Sequence, residues 1–320
     1  MSYILLLVGF GLLIAGANYF VEGASSIAAR LRVSPMLIGL TIVAFGTSSP
    51  EATVSIIAAL QHNAGVSLGN VIGSNVFNTA LVTGLVAVIA AIQVRSETIR
   101  KEIPFTLLAS TALLVLVGDL ALQGAATSWI TRGDGLILLL FFSVFLYYLF
   151  EAARNGKGTD AAVGQTERKA PASWAKLIFF TAAGLGAIIY GGHLVVLHAT
   201  AIALRLGMSE TLAGLTIVAV GTSLPELVTS VAAAVKKQND IAIGNIVGSN
   251  IFNILFVLGV SAVISPLPVA GPMLVDIAVL IALTGLLFVV SRTHYRVGRI
   301  EGTALVLAYA AYMVYVVMRG

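Results

Sequence analysis

Long apolar stretches, separated by short polar segments, make up most of this chain. Each run has about 20 apolar residues, which is enough for a helix to cross a hydrocarbon core of roughly 30 Å. Ten spans are predicted in this way, at residues 3–29, 34–60, 66–92, 103–122, 134–152, 174–200, 209–235, 241–264, 272–291 and 301–318. The pattern therefore predicts an all-α polytopic membrane protein with ten transmembrane helices.

The chain also contains one pattern twice. The segment that ends at Glu51 reads GLTIVAFGTSSPE and the segment that ends at Glu226 reads GLTIVAVGTSLPE, so that 11 of 13 positions agree. A second pair, GNVIGSNVFN ending at Asn78 and GNIVGSNIFN ending at Asn253, follows at the same offset of 175 residues. A duplicated unit of five spans explains both pairs. Because five is odd, the second copy must enter the membrane from the opposite side, which predicts an inverted-topology repeat.

The predicted organisation has three parts. Residues 1–153 form the first five-span repeat, residues 174–320 form the second, and residues 154–173 form a polar linker. The linker is too short for a regulatory domain. Inverted repeats place their substrate sites near the bilayer midplane, at the interface between the repeats and on interrupted helices.

Composition supports a membrane protein, because only 10% of residues are charged, against roughly 25% in a soluble domain. The chain has no cysteine, which excludes disulfides and thiolate metal sites. No secretory leader is recognised, and the first apolar run is interpreted as a retained span. The basic residues are scattered over short loops rather than gathered on one helix face, which argues against nucleic-acid binding.

The same basic residues predict the orientation. If both termini lie outside, the positive-inside rule is satisfied for 15 of the 18 lysines and arginines. These 15 are Arg30, Arg32, Arg95, Arg100, Lys101, Arg154, Lys157, Arg168, Lys169, Lys176, Lys236, Lys237, Arg292, Arg296 and Arg299. This orientation also places the linker in the cytosol.

The candidate chemistry lies in the two copies of the first motif. A carboxylate in hydrocarbon costs about 2.5–3.5 kcal/mol on insertion scales, so an intramembrane glutamate indicates a functional site. Pro50 and Pro225 lack the backbone N–H and are expected to break their helices immediately before Glu51 and Glu226. Further oxygen atoms are supplied within one turn by Thr47, Ser48, Thr222 and Ser223.

The second motif adds neutral oxygen atoms on helices rich in small residues. Its serines and asparagines either provide oxygen ligands for a bound ion or only hold helices together, as such residues often do in membranes. Oxygen ligands with two carboxylates suit a hard cation; Ca²⁺ takes six to eight oxygens in flexible geometry, while Mg²⁺ releases its waters reluctantly. Sodium can use the same carbonyls and hydroxyls.

These motifs resemble the two alpha repeats of the calcium/cation antiporter superfamily, specifically its prokaryotic sodium/calcium exchanger branch. The resemblance covers all ten predicted spans and implies a prokaryotic cytoplasmic membrane as the location. It implies that the second, third, seventh and eighth spans surround the ion sites, and that the long first and sixth spans slide past them. It implies a central calcium site formed by Glu51, Glu226 and the backbone carbonyls of Thr47 and Thr222. The flanking sodium sites that it implies use the carbonyls of Ala44 and Ala219, the hydroxyls of Ser48, Ser223, Ser74 and Ser249, and the side chains of Asn78 and Asn253.

One position departs from the family pattern. Exchangers of this branch often carry aspartate where this chain has Asn253, so the predicted site has only two acidic side chains. Asparagine at both symmetric positions is also similar to the proton-coupled relatives of the superfamily. The sequence therefore leaves the coupling ion, Na⁺ or H⁺, open.

The predicted function is secondary active antiport of Ca²⁺ for Na⁺ by alternating access at one site built on Glu51 and Glu226. A proton-coupled calcium/cation antiporter is the first alternative, and a cation channel with the same glutamates as a charged ring is the second. The chain has no HExxH motif and no evident Ser/His pair or aspartate dyad in the spans, so an enzyme is not expected. No cofactor, nucleic acid or obligate protein partner is predicted; the partners are Ca²⁺, Na⁺ and the bilayer.

Overall fold

The computed structural model describes residues 2–118, 124, 127–155, 173–207 and 219–319. In the first half the helices are α1 (Ser2–Leu31), α2 (Pro35–Thr47), α3 (Ser49–Leu60), α4 (Gly65–Ile89), α5 (Ser96–Arg100), α6 (Glu102–Leu116) and α7 (Arg132–Asn155). In the second half they are α8 (Trp174–Arg205), α9 (Ala219–Thr222), α10 (Leu224–Val235), α11 (Asn239–Ile264), α12 (Gly271–His294) and α13 (Arg299–Arg319).

The described helices correspond to the ten predicted spans. Seven of them are long and apolar enough to cross a membrane, and α2 with α3 forms an eighth span that is bent by 49°. Helices α6 and α10, with 15 and 12 residues, represent the spans predicted at 103–122 and 209–235. Helix α6 ends at Leu116, inside the described range, so the predicted end of this span at residue 122 is wrong. The span predicted at 209–235 begins in residues outside the described ranges. Residues 156–172, most of the predicted linker, also lie outside them. The prediction of an all-α membrane protein is confirmed.

Within the described ranges, two short antiparallel strand pairs join the halves of the molecule at the ends of the spans. Strand β1 (Ile92–Gln93), after α4, pairs with β4 (Arg296–Val297) between α12 and α13. Strand β2 (Ser128–Ile130), just before α7, pairs with β3 (Leu267–Val269), after α11. Each pair thus connects the segment after the third span of one repeat to the loop between the fourth and fifth spans of the other, as an inverted repeat requires.

The longest helices, α1 and α8, have 30 and 32 residues and pack closely through glycines. A Cβ atom added to Gly16 would lie 2.8 Å from the carbonyl oxygen of Gly184, and one added to Gly191 would lie 2.8 Å from that of Gly9. Small residues allow the backbones of membrane helices to approach this closely. The two helices therefore form a tightly packed pair beside the rest of the bundle.

The break between α2 and α3 follows from Pro50. Because proline has no backbone N–H, it cannot donate to the carbonyl of Gly46. The hydroxyl of Ser49 donates to that carbonyl instead, at 2.7 Å. Ser48 lies at the break with φ −82° and ψ 7°, and its counterpart Ser223, before Pro225, has φ −93° and ψ 7°. The predicted interruptions are therefore present in both halves.

Candidate functional site

Glu51 and Glu226 are fully buried and lie in the first turns of α3 and α10, directly after the two breaks. Each carboxylate is bound by a serine of the opposite repeat. Ser48 Oγ donates to Glu226 Oε1 at 2.7 Å, and Ser223 Oγ donates to Glu51 Oε1 at 2.8 Å. Ser223 also lies 3.0 Å from the hydroxyl of Ser74 on α4. The two motifs therefore meet at the interface between the repeats.

An asparagine on α11 fixes the backbone around Glu226. Asn245 accepts a hydrogen bond from the hydroxyl of Thr47 at 3.0 Å. Its amide group donates to the backbone carbonyl of Glu226 at 3.3 Å and to the hydroxyl of Ser230 at 2.9 Å. Every polar atom of this buried side chain thus has a protein partner, so Asn245 connects α2, α10 and α11.

The same connections occur around Glu51, with every residue shifted by the 175 positions that separate the repeats. Asn70 accepts from the hydroxyl of Thr222 at 3.3 Å. Its amide donates to the backbone carbonyl of Glu51 at 3.2 Å and to the hydroxyl of Ser55 at 2.9 Å. The hydrogen bonds around the two glutamates therefore repeat the sequence duplication atom by atom.

Several buried oxygen atoms of the predicted site residues have no hydrogen-bond partner among the described residues. They include the second carboxylate oxygens of Glu51 and Glu226, the hydroxyl of Ser249, and the amide oxygens of Asn78 and Asn253. No described lysine or arginine forms an ion pair with either glutamate. Buried acceptors without a hydrogen bond and unpaired buried carboxylates destabilise a protein unless a positively charged group binds them. A cation is the chemical group that fits these oxygen atoms.

The remaining predicted site residues differ in whether their oxygen atoms already take part in hydrogen bonds. The carbonyl of Ala44 accepts the backbone N–H of Ser48 at 2.9 Å and lies 3.3 Å from the hydroxyl of Thr47, whose shorter bond is to Asn245. Ala219 opens α9, one turn before the break that precedes Glu226. The structure thus links Thr47, Ser48 and Ala44 directly, whereas the side chain of Asn78 is buried without a hydrogen bond to the described residues.

Two features of the site are not evident from the sequence. Helices α4 and α11 each contain a π-helical stretch, Phe77–Val82 and Phe252–Val257, which begins one residue before Asn78 and Asn253 respectively. Such stretches interrupt the regular hydrogen-bond ladder and often occur at functional sites. The repeated GSN-x-x-N motif ends at their second residue, but hydrophobic periodicity does not distinguish a π-turn from an α-turn.

A chain of amides connects α4 and α11 beside these stretches. Asn253 donates to the amide oxygen of Asn75 at 3.2 Å, and Asn75 donates to the backbone carbonyl of Asn250, also at 3.2 Å. Asn250 in turn donates to the hydroxyl of Thr79 at 2.8 Å. These amides hold the two helices together, which is one of the two roles that the sequence left open for the asparagines of the second motif.

Comparison with known proteins agrees with this architecture. The family model described as sodium/calcium exchanger protein matches residues 1–151 and 176–318. The chain is similar to the putative antiporter CaxA of Alkalimonas amylolytica, with 40% identity over 97% of this chain and 96% of the relative. It is also similar to the sodium/calcium exchanger MaX1 of Methanosarcina acetivorans, with 32% identity over 98% and 97% of the two chains.

Solved structures give the same result. The sodium-calcium exchanger NCX_Mj, soaked with 2.5 mM Na⁺ and 1 mM Sr²⁺, superimposes with a TM-score of 0.83 and 33% sequence identity over 98% of this chain and 97% of that one. The prediction of ten helices in two inverted five-helix repeats is thereby confirmed. The chain therefore belongs to the sodium/calcium exchanger protein family and is an integral membrane cation/calcium antiporter rather than an enzyme.

Proposed function

We propose that this protein exchanges Ca²⁺ for Na⁺ by alternating access at a single central site built on Glu51 and Glu226. The observation that supports this most directly is the pair of fully buried carboxylates, each with one oxygen that has no partner among the described residues. Each carboxylate is held by a serine of the other repeat, so that a bound ion contacts both halves of the chain. A relative movement of the halves can therefore change access to the ion.

The proposed ligands are those that the family resemblance implies. Calcium is bound by Glu51, Glu226 and the backbone carbonyls of Thr47 and Thr222. Sodium uses the carbonyls of Ala44 and Ala219, the hydroxyls of Ser48, Ser223, Ser74 and Ser249, and the amide oxygens of Asn78 and Asn253. The unpartnered oxygens of Ser249, Asn78 and Asn253 support this assignment, because they have capacity for an ion that the described residues leave unused.

Charge explains why exchange is obligatory. Two ionised glutamates give the empty site a charge of −2, which a single Ca²⁺ or two Na⁺ neutralise. A neutral loaded site crosses the low-dielectric barrier, whereas bare buried carboxylates do so only at great cost. A third Na⁺ would leave a charge of +1 and make transport respond to voltage by about 2.3 kcal/mol per 100 mV.

The orientation and division of the chain are part of the same proposal. Residues 1–153 and 174–320 form the repeats, the linker 154–173 is cytosolic, and both termini are outside. Sodium is preferred over the proton as coupling ion because MaX1 is named a sodium/calcium exchanger and NCX_Mj was solved after soaks with Na⁺ and Ca²⁺. Sodium coupling in this chain is therefore a proposal, and the uptake experiment described next tests it.

The test is uptake of ⁴⁵Ca²⁺ into vesicles that contain the purified protein. Vesicles loaded with Na⁺ and diluted into Na⁺-free medium are expected to accumulate calcium, while Na⁺-free vesicles with only a pH gradient are not. Uptake driven by the pH gradient alone would make the protein a proton-coupled antiporter. Calcium flux that persists without any counter-ion would indicate a channel.

Substitution of Asn253 by aspartate is expected to change sodium coupling. The extra carboxylate raises the negative charge of the site to −3, so that binding of a third Na⁺ gives neutrality. The side-chain amide of Asn253 donates a hydrogen bond to the amide oxygen of Asn75. An aspartate at position 253 cannot donate this bond, so the side-chain amide of Asn75 must rotate to present its N–H group instead. We therefore expect a steeper dependence on Na⁺ and an altered response to membrane potential, both measurable as ⁴⁵Ca²⁺ uptake at clamped voltage.

The symmetric variant Asn78→Asp makes the same change in the other repeat. The amide of Asn78 makes no hydrogen bond within the described chain, so this change adds the same charge without disturbing a neighbour. Both variants are expected to shift the sodium dependence in the same direction. If Asn253→Asp leaves the sodium Hill slope and the voltage response unchanged, the proposed role of Asn253 in sodium binding is wrong.

A further inference from the structure

A cavity of about 960 Å³ lies between the start of α2, the start of α6 and the end of α7, away from the paired glutamates. Much of its wall is apolar and includes Met36, Leu37 and Phe105. Charged groups also line it, namely Arg95, Lys101, Glu97, Glu102 and Glu151. Arg95 is bound to Asp240, but no salt bridge involves Glu97, Glu102 or Glu151 within the described chain.

Glu102 is the unusual member of this wall. The residue is only 4% exposed, and one of its carboxylate oxygens accepts a hydrogen bond from the hydroxyl of Tyr148. The other oxygen, Oε2, has no hydrogen-bond partner among the described residues. Lys101 forms no ion pair with Glu102 within the described chain, and its Nζ lies 5.9 Å from the centre of the Tyr148 ring. A buried carboxylate without a positive partner is costly, so the site is incomplete as the described chain leaves it.

The second repeat shows what is missing. Asp276, near the start of α12, is also 4% exposed and accepts a hydrogen bond from Tyr312 of α13 at 3.1 Å. Here the guanidinium of Arg319 completes the arrangement with bonds of 2.8 and 2.6 Å to the two carboxylate oxygens. Thus the fourth and fifth spans of both repeats pair a buried acid with a tyrosine. In the second repeat the guanidinium of Arg319 neutralises the acid, whereas in the first repeat a cavity lies beside Glu102.

The chemistry of the cavity favours an organic ammonium over a metal ion. Among the described residues no three acids or histidines converge as they would around a metal. A mostly apolar wall with both a carboxylate and a lysine is complementary to an amphiphile that carries a positive and a negative group. The arginine of the second repeat also makes directed N–H hydrogen bonds, which a primary ammonium can reproduce and a quaternary one cannot.

We propose that this cavity binds the headgroup of a phospholipid with a primary ammonium, of the phosphatidylethanolamine type. The ammonium donates to Glu102, the phosphate lies near Lys101, and the acyl chains follow the apolar wall past Phe105 into the bilayer. This site is separate from the proposed transport site, and its occupancy can be measured without transport.

The test is native mass spectrometry of the full-length protein in detergent, titrated with phosphatidylethanolamine or phosphatidylcholine of the same acyl chains. We expect one phosphatidylethanolamine per chain, bound about 10-fold or more tightly than phosphatidylcholine, because a charge-assisted hydrogen bond is lost with the quaternary headgroup. Glu102→Gln is expected to reduce phosphatidylethanolamine binding by a similar factor. Equal binding of the two lipids by the unmodified protein would overturn the proposal, whatever the variant does.

The tyrosines of α7 provide a matched control. Tyr147→Phe removes a hydroxyl from a side chain that is 67% exposed and does not line the cavity, and it should leave lipid binding unchanged. Tyr148→Phe removes the hydroxyl that holds Glu102 and should weaken binding. Phosphatidylethanolamine binding that survives Glu102→Gln would contradict the assignment. So would competition by soluble phosphoethanolamine at equal concentration, since the ligand would then be a free amine rather than a lipid.

Discussion

Replacement of Glu51 or Glu226 by glutamine is expected to reduce Na⁺-driven ⁴⁵Ca²⁺ uptake by at least about 100-fold. A unit charge 4 Å from another is worth about 4 kcal/mol at an effective dielectric constant near 20, and a dication feels the loss of one carboxylate more strongly. Glutamine preserves the shape of the side chain, so the variants test charge. Because equivalent hydrogen bonds surround the two glutamates, the two substitutions should have similar effects.

The control for these variants is Glu22→Gln. The side chain of Glu22 is 67% exposed and forms a surface salt bridge with Lys236 at 2.9 Å. Exposed pairs contribute at most about 1 kcal/mol, so exchange should change little. Exchange that continues undiminished in Glu51→Gln or in Glu226→Gln would contradict a single shared site.

The second large effect is expected where α1 and α8 pack through glycine. In Gly184→Val the added Cβ would lie 2.7 Å from the backbone nitrogen of Phe20 and 2.9 Å from the carbonyl oxygen of Gly16. Backbone atoms cannot turn away as a flexible side chain can, so the helices must separate. Overpacking costs about 1–3 kcal/mol, and we expect a lower midpoint of thermal unfolding in detergent together with weaker exchange.

Gly186→Val tests whether position, rather than loss of a glycine, causes this effect. Gly186 lies two residues further along α8, and a Cβ there meets no atom of the described residues within 4 Å. The control variant should therefore unfold near the temperature of the unmodified protein. Equal unfolding temperatures for the two variants would show that the close packing of α1 against α8 contributes little to stability.

Much of this molecule is predictable because the signals are local. Twenty apolar residues in a row predict a span wherever they occur, and Pro50 interrupts a helix through its own missing N–H. The duplicated motifs predict the inverted repeat from the constant offset between them. Most helix bounds agree with these expectations within a few residues, from Ser2–Leu31 to Arg299–Arg319, whereas the helix predicted at 103–122 ends at Leu116.

Residue chemistry alone did not sort the asparagines; only the family resemblance favoured Asn78 and Asn253 as ligands. Asn70, Asn245, Asn78 and Asn253 are similar residues in repeated motifs, and the sequence does not distinguish helix packing from ion binding for such amides. In the structure Asn70 and Asn245 use all their polar atoms to hold the backbone of the glutamates and the neighbouring hydroxyls. Asn78 and Asn253 retain oxygens without a partner among the described residues. Only the second pair therefore has free capacity for an ion.

The sequence by itself determined the ten spans, the inverted duplication and the two intramembrane acids. Hydrophobicity, proline chemistry and charge are properties of neighbouring residues, and the duplication is visible as two similar stretches of sequence. Tertiary structure decided which oxygen atoms are satisfied and which are not, since the partners are distant; Thr47 and Asn245, for example, are 198 residues apart. It also decided that Arg319 neutralises Asp276 while Glu102 is left beside a cavity. Such differences depend on how side chains from several helices pack, and no local pattern encodes them.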